Sequence, residues 1–245
     1  MYNSWAIAVK IAFCIIAYLL GAVNFATLIS RARGGDVRRA GSGNPGTMNM
    51  LRVFGKGWGA LTFILDCLKG VLCALLGRFI VGSAEWMFIL GGIAVLGHVF
   101  PVYTRFKGGK GVATAIGMYL VADPIVAPIV LAALVLILLF LKYGFLGSLA
   151  AITALSVYSA VKYRGYWIII TVNVLLLLLI IFTHRGNIAR LIKGKENTLK
   201  PGGRREDSKG QNADALGAEA ECCGKDKIDK IAHGGNERAA DENKE

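Results

Sequence analysis

The chain has 245 residues, of which 55% are hydrophobic and only 18% charged, with a mean hydropathy of +0.54. That is far too apolar for a soluble domain of this length, so the bilayer is the expected solvent. The formal charge of +12 is unevenly placed, with 19 Lys and Arg against 5 acids in residues 1–199 and 9 against 11 in residues 200–245. Cys14, Cys67 and Cys73 fall in apolar stretches and Cys222 and Cys223 are adjacent in a polar one, which excludes the spacing of a disulfide framework or a zinc site.

A spanning helix needs roughly 20 mainly apolar residues. In chain order the segments that qualify are 5–30, 57–79, 84–103, 125–141, 145–162 and 165–183. A seventh, 111–122, is short and stops before Asp123-Pro124, where proline disfavours a helical residue ahead of it. The first stretch is longer than a signal-peptide core and ends in no clear cleavage pattern, so it reads as a retained helix. The expectation is an all-α, polytopic membrane protein with about seven transmembrane helices.

Basic residues set the orientation. Arg31, Arg33, Arg38, Arg39, Arg52 and Lys56 crowd the gap 31–56, and Arg105, Lys107 and Lys110 the gap 104–110. Both belong on the cytoplasmic side, which puts the N-terminus outside and the C-terminus in the cytoplasm. Lys162 and Arg164 then fall outside, a mild exception. Residues 1–198 form the membrane domain; 199–245 are rich in Gly, Asp, Glu, Lys and Asn, cannot bury a core, and read as a disordered polar extension.

Three polar clusters lie where the chain leaves the membrane on that side. The first is Gly41-Ser42-Gly43-Asn44-Pro45-Gly46-Thr47-Met48-Asn49, with Arg52 after it. Close glycines let backbone N–H groups approach an anion, and a following helix start adds its positive dipole end. The second runs from Gly97-His98 through Lys107-Gly108-Gly109-Lys110-Gly111 to Thr114, with lysines interleaved among glycines. It is not a P-loop, because Gly111 rather than Ser or Thr follows Lys110. The third is His184-Arg185-Gly186-Asn187-Ile188-Ala189-Arg190, continuing to Glu196. A flexible loop, a solvated basic turn and a snorkelling anchor are the plain alternatives to a phosphate site for the three in turn.

Asp66 and Lys69 share one helix face at i,i+3 inside a span. They suit a structural ion pair or a functional one. His98 and His184, at span ends beside basic clusters, suit a general base or a hydrogen bond to phosphate. No nucleophile elbow, dinucleotide fingerprint or metal-spaced set occurs, so neither a metal nor another cofactor is expected, and nucleic acid is not an expected partner.

The stretches GSGNPGTMN, GHVFPVYTRFKGGKGVAT and HRGNIARLIKGKE together resemble, in order and spacing, the three signature motifs of the bacterial acyl-phosphate:glycerol-3-phosphate acyltransferase (PlsY) family. The resemblance covers about residues 1–198. It implies seven transmembrane helices in the bacterial inner membrane with the active site facing the cytoplasm. It also implies transfer of a fatty acyl group from acyl phosphate to the 1-hydroxyl of glycerol 3-phosphate, without metal. Membrane lipids and the enzyme that makes acyl phosphate are the further partners it suggests. By motif position, His98, His184, Asn187 and Ser42 carry catalysis, while Ser42, Gly43, Asn44, Asn49, Arg52, Lys107, Gly109, Lys110 and Arg185 hold phosphate. Tyr103 and Ala189 stand where a His-x4-Asp acyltransferase would need its acid. Two stretches depart from the pattern: the family's first motif usually ends Ala-Thr-Asn where this chain has Thr47-Met48-Asn49, so the hydroxyl expected at Met48 is missing, and in the segment 142–148 the family commonly has Ser where Phe145 stands. The rival reading is an organic-phosphate transporter of the inner membrane, whose site would lie near the bilayer midplane on broken helices.

Overall fold

The computed structural model describes residues 4–140 and 143–196; the 199–245 extension lies outside them. Among the described residues there is no strand. The helices are α1 (Ser4–Ala22), α2 (Phe25–Ala32), α3 (Thr47–Phe54), α4 (Lys56–Leu75), α5 (Ala84–Val99), α6 (Val112–Ala122), α7 (Val126–Phe140), α8 (Gly144–Lys162), α9 (Trp167–Thr183) and α10 (Arg185–Ile192). Helix α4 continues into a wider π turn, Leu76–Ile80.

Among the described residues four helices are long and apolar enough to cross a membrane: Trp5–Ala22, Lys56–Ile80, Ala84–Thr104 and Gly144–Lys162. The pair α9–α10, bent by 48°, makes a fifth, whereas Val112–Ala122 and Val126–Leu136 are shorter apolar helices. The all-helical expectation therefore holds, with four or five full-length spans. The expected first span, 5–30, is not one helix. It breaks after Ala22, and Asn24 caps α2 by accepting the Thr27 N–H at 2.8 Å. An asparagine whose carbonyl satisfies an orphan helix donor starts a new helix even inside an apolar run.

Large apolar side chains point outward: Ile7, Ile11, Ile15, Leu175 and Leu178 are all exposed. In water such a surface would aggregate; in lipid it costs nothing. Inside, α4 packs on α6, α1 on α5, and α5 also on α4, α6 and α9. The α4–α6 crossing depends on two glycines. A Cβ at Gly70 would lie 2.0 Å from the Thr114 carbonyl oxygen, and one at Gly117 would lie 2.0 Å from that of Cys67. Backbones this close are how membrane helices associate when no hydrophobic effect separates helix from lipid.

Several polar groups between the spans are paired. Tyr119 donates to Asn173 Oδ1 at 2.6 Å, and Asn173 Nδ2 donates to the Ile169 carbonyl at 2.8 Å, joining α6 to α9. At the far ends of α6 and α8 from the polar clusters, Lys162 Nζ lies 2.6 Å from Asp123 Oδ2, and the Tyr158 hydroxyl donates to the same oxygen at 2.9 Å. Of the two basic residues expected outside, Lys162 is thus paired with an acid at its own end of the bundle.

Candidate active site

The first cluster is shaped by two asparagines. Asn24 Nδ2 donates to the Pro45 carbonyl at 3.2 Å, fixing the loop to the start of α2. Asn49, on the first turn of α3, accepts the Ser42 N–H at 2.9 Å and donates to the carbonyls of Val37 at 2.8 Å and Ala40 at 3.0 Å. Both amide protons and one carbonyl lone pair are consumed, so Asn49 builds the loop rather than offering a donor to phosphate. Its neighbours Ser42, Asn44 and Arg52 face a cavity.

The second cluster enters from the end of α5. The N–H groups of Gly108 and Gly109 return to the carbonyls of Val99 at 3.2 Å and His98 at 3.1 Å, folding the loop back over the helix end. Gly109 lies against the His98 ring, where a Cβ would be 2.1 Å from Nε2. It therefore makes space for the histidine instead of touching the cavity itself. Lys110 and His98 both line that cavity.

The third cluster is placed by the break between α9 and α10. His184 caps α9, its ring Nδ1 2.8 Å from the Ile180 carbonyl oxygen. A carbonyl only accepts, so Nδ1 carries the proton and Nε2 keeps a lone pair. The single Thr183 hydroxyl proton is shared between the Ile180 carbonyl at 2.8 Å and the Lys110 carbonyl at 3.2 Å, which sets the second loop beside the end of α9. One turn on, Asn187 accepts from the Lys110 ammonium through Oδ1 and donates through Nδ2 to Glu196 Oε1 at 2.6 Å. Glu196 in turn accepts from Arg190 Nε at 3.0 Å.

Residues from all three clusters thus converge on one cavity: Ser42, Asn44 and Arg52, then His98 and Lys110, then His184, Asn187 and Glu196. Its apolar wall is formed by Phe63, Val112, Leu134 and Phe145, and the Phe145 ring stacks on His184 with centroids 6.2 Å apart. Asp66 reaches the cavity, while Lys69 lies behind it, 2.8 Å from Asp66 Oδ1. The expected pair exists, and it is buried.

Burial depresses the Lys110 ammonium to a pKa of about 8. Glu196 opposes that fall, while Arg190 and Arg52 add to it. Burial, and then the charge of Lys110, lowers His184 to about 4, against a smaller contrary effect of its bond to Ile180. At neutral pH the site therefore presents a neutral imidazole beside cations, a field suited to anionic substrates.

Besides Gly109, three expected phosphate ligands lie elsewhere. Gly43 and Lys107 line an adjoining groove with Asp36, Arg38 and Arg39, where Arg38 is already held by Asp36, Nε to Oδ1 at 2.9 Å. Arg185 is exposed, donating to the Phe182 carbonyl at 3.1 Å with its guanidinium over the Phe182 ring. Glu196, which closed the third cluster without a role, and Asn24 are the residues that pattern reading did not assign to the site. The first stood at the edge of a charged tail and the second inside an apolar run.

A family model described as glycerol-3-phosphate acyltransferase matches residues 11–194, a span that carries the first two clusters and the third up to Gly194. The chain belongs to the glycerol-3-phosphate acyltransferase family. It is 40% identical over 192 residues to the glycerol-3-phosphate acyltransferase of Geotalea daltonii, covering 78% of this chain and 98% of that one. Against the Aquifex aeolicus protein of the same name it is 43% identical over 190 residues, covering 75% and 95%. Among solved structures it resembles the glycerol 3-phosphate form of PlsY (YgiH), an integral membrane glycerol 3-phosphate acyltransferase, with a TM-score of 0.73 and 37% identity over 77% of this chain and 94% of that one. The lysophosphatidic acid form of the same protein gives a TM-score of 0.70. As a glycerol-3-phosphate acyltransferase of this family, the chain is an integral membrane protein, and Met48 and Phe145, its two departures from the motif pattern, are both on the cavity wall.

Proposed function

We propose that this chain transfers a fatty acyl group from acyl phosphate to the 1-hydroxyl of glycerol 3-phosphate, yielding lysophosphatidic acid and phosphate for phospholipid synthesis. The observation that carries this reading is the joining of Lys110, Asn187 and Glu196 into one hydrogen-bonded chain at a cavity that also gathers Ser42, Arg52, His98 and His184. Two anionic substrates need cations and donors held in place before they meet, and an activated acyl donor needs little else.

In this reading Ser42, Asn44, Arg52 and Lys110 hold the phosphate groups. The glycerol 3-phosphate hydroxyl oxygen attacks the acyl carbonyl carbon, the bond from that carbon to the phosphate oxygen breaks, and inorganic phosphate departs. The hydroxyl proton passes to an oxygen of the leaving phosphate or to the free Nε2 of His184. Asn187, pinned from both sides, orients the acceptor. The apolar wall of Phe63, Leu134 and Phe145 faces the acyl end of the donor.

The same reading places the protein in the bacterial inner membrane with seven membrane-crossing segments, the two shorter helices and the broken first stretch among them. It sets the N-terminus outside, the cavity toward the cytoplasm, residues 199–245 as a polar extension, and the enzyme that makes acyl phosphate as a contacting partner. A transporter would carry its phosphate site between broken helices at mid-membrane; here the groups assigned to phosphate, Ser42, Asn44, Arg52 and Lys110, come from loops and the short helix α3.

The test is direct. Purified protein in detergent, given acyl phosphate and radiolabelled glycerol 3-phosphate without added metal, forms labelled lysophosphatidic acid. Absence of product where a family enzyme works under the same conditions overturns the assignment.

A further inference from the structure

The two cavity histidines are wired differently. His184 spends its Nδ1 proton on a carbonyl and keeps Nε2 as an acceptor. His98, fully enclosed at the end of α5, has an ammonium against its ring: Lys69 Nζ is 2.8 Å from His98 Nδ1. The same ammonium is 2.8 Å from Asp66 Oδ1 and donates to the Val23 carbonyl at 2.8 Å. The ammonium thus hydrogen-bonds to Nδ1 and to the Val23 carbonyl and forms a close ion pair with Asp66, whose Oδ1 is buried without a hydrogen bond among the described residues.

An ammonium has no lone pair, so its approach to Nδ1 requires that nitrogen to be unprotonated. Asp66 Oδ1 is 3.5 Å from Nδ1, too far to compete as the ring's main partner. Asp66 instead supplies the charge that makes a buried ammonium tolerable. Val23 contributes because it falls in the break between α1 and α2, where its carbonyl has no helical partner. The ring proton is left on Nε2, the edge against which Gly109 packs and where any side chain would collide, in a ring that lines the cavity.

We propose that Lys69 and Asp66 are positioning residues that lock His98 in the Nε2–H form, making it a hydrogen-bond donor to the developing oxyanion or to substrate phosphate and not a base. The two histidines then divide the work: His98 donates and His184 accepts. The contribution to catalysis rests on the acyltransfer reading given above, whereas the tautomer itself does not.

Two measurements separate these. In full-length protein carrying 15N-histidine in detergent micelles, ring nitrogen shifts report the proton directly, with His98 assigned by loss of its signal in His98→Gln. The expected result is a protonated Nε2 and a bare Nδ1 at neutral pH; a proton on Nδ1 overturns the proposal whether or not the protein is active.

Kinetics then test the role. Lys69→Met lowers kcat at least tenfold in the otherwise native chain. In His98→Gln, whose amide N–H replaces the Nε2–H without any tautomer to fix, the same Lys69→Met change costs less than twofold. A loss of full size in the glutamine background shows that Lys69 acts through packing alone and overturns the positioning role. If the native chain shows no transfer while the ring measurement gives Nε2–H, the function falls and the tautomer assignment stands.

Discussion

Asn187 and Glu196 hold each other across the end of α10 by a 2.6 Å hydrogen bond from amide Nδ2 to carboxylate Oε1. The bond decides which way the amide faces, because it assigns Nδ2 to the glutamate and leaves Oδ1 for Lys110. Glu196→Ala strands a buried amide donor and frees Arg190. The expected cost is about 1–3 kcal/mol of stability, read as a lower unfolding temperature in detergent, together with a drop in kcat of tenfold or more. Glu196→Gln keeps an acceptor for Asn187 and falls between the two.

Lys110 gives the enzyme an alkaline limit. Its ammonium loses its charge as pH rises through about 8, while a substrate phosphate is already fully ionised there. KM for glycerol 3-phosphate therefore climbs above pH 8 in the native enzyme. Lys110→Arg, whose charge persists, keeps the profile flat to higher pH even if its kcat is lower. A pH series of initial rates for the two proteins checks this.

His184 gives no corresponding limit near neutrality. Its pKa of about 4 keeps the ring neutral from pH 5 upward, so this histidine adds no midpoint between 6 and 7 to kcat/KM, and an acid limb there belongs to the second ionisation of the substrate phosphate, about 6. Removing a depressing charge shifts the ring's pKa. In Lys110→Met the residual activity shows an acid limb at higher pH than in the native enzyme, measurable from the same series.

Asn49→Ala tests the loop-building role. The Ser42 N–H and the carbonyls of Val37 and Ala40 lose their partner together. We expect a loss of about 1–3 kcal/mol in stability and a rise of roughly tenfold in KM for the phosphate substrates, since the loop that carries Ser42 and Asn44 slackens. Equal binding by the alanine variant would contradict it.

Orientation has its own check. In a cysteine-free background, a single cysteine replacing Arg164 reacts with a membrane-impermeant thiol reagent added to intact cells. One replacing Lys107 reacts only after the cells are opened.

Much of this arrangement was legible in the chain. Hydropathy marked the helical stretches because lipid imposes length and apolarity on any spanning helix, and the three clusters were visible because glycine, lysine and asparagine are conspicuous against leucine. The pairing of Asp66 with Lys69 followed from helical spacing. That His98 would join them did not, since it comes from another helix and only packing supplies the third partner. Asn49 looked like a ligand because composition cannot tell an amide that binds phosphate from one that ties a loop. Arg185 lay within a motif, yet helical phase and the Phe182 ring carry it away from the cavity.

The break at Val23 and Asn24 ties together parts of the molecule that lie far apart in sequence. One residue offers its carbonyl to Lys69 and the next offers its amide to Pro45. An α-helix turns about 100° per residue, so inserting a single alanine near the end of α1 would swing both groups off their partners at once. The amino-terminal helix is therefore more than an anchor: its phase sets a register shared by the ammonium behind His98 and the loop carrying Ser42, and grafting another hydrophobic helix in its place would have to reproduce that phase to the residue.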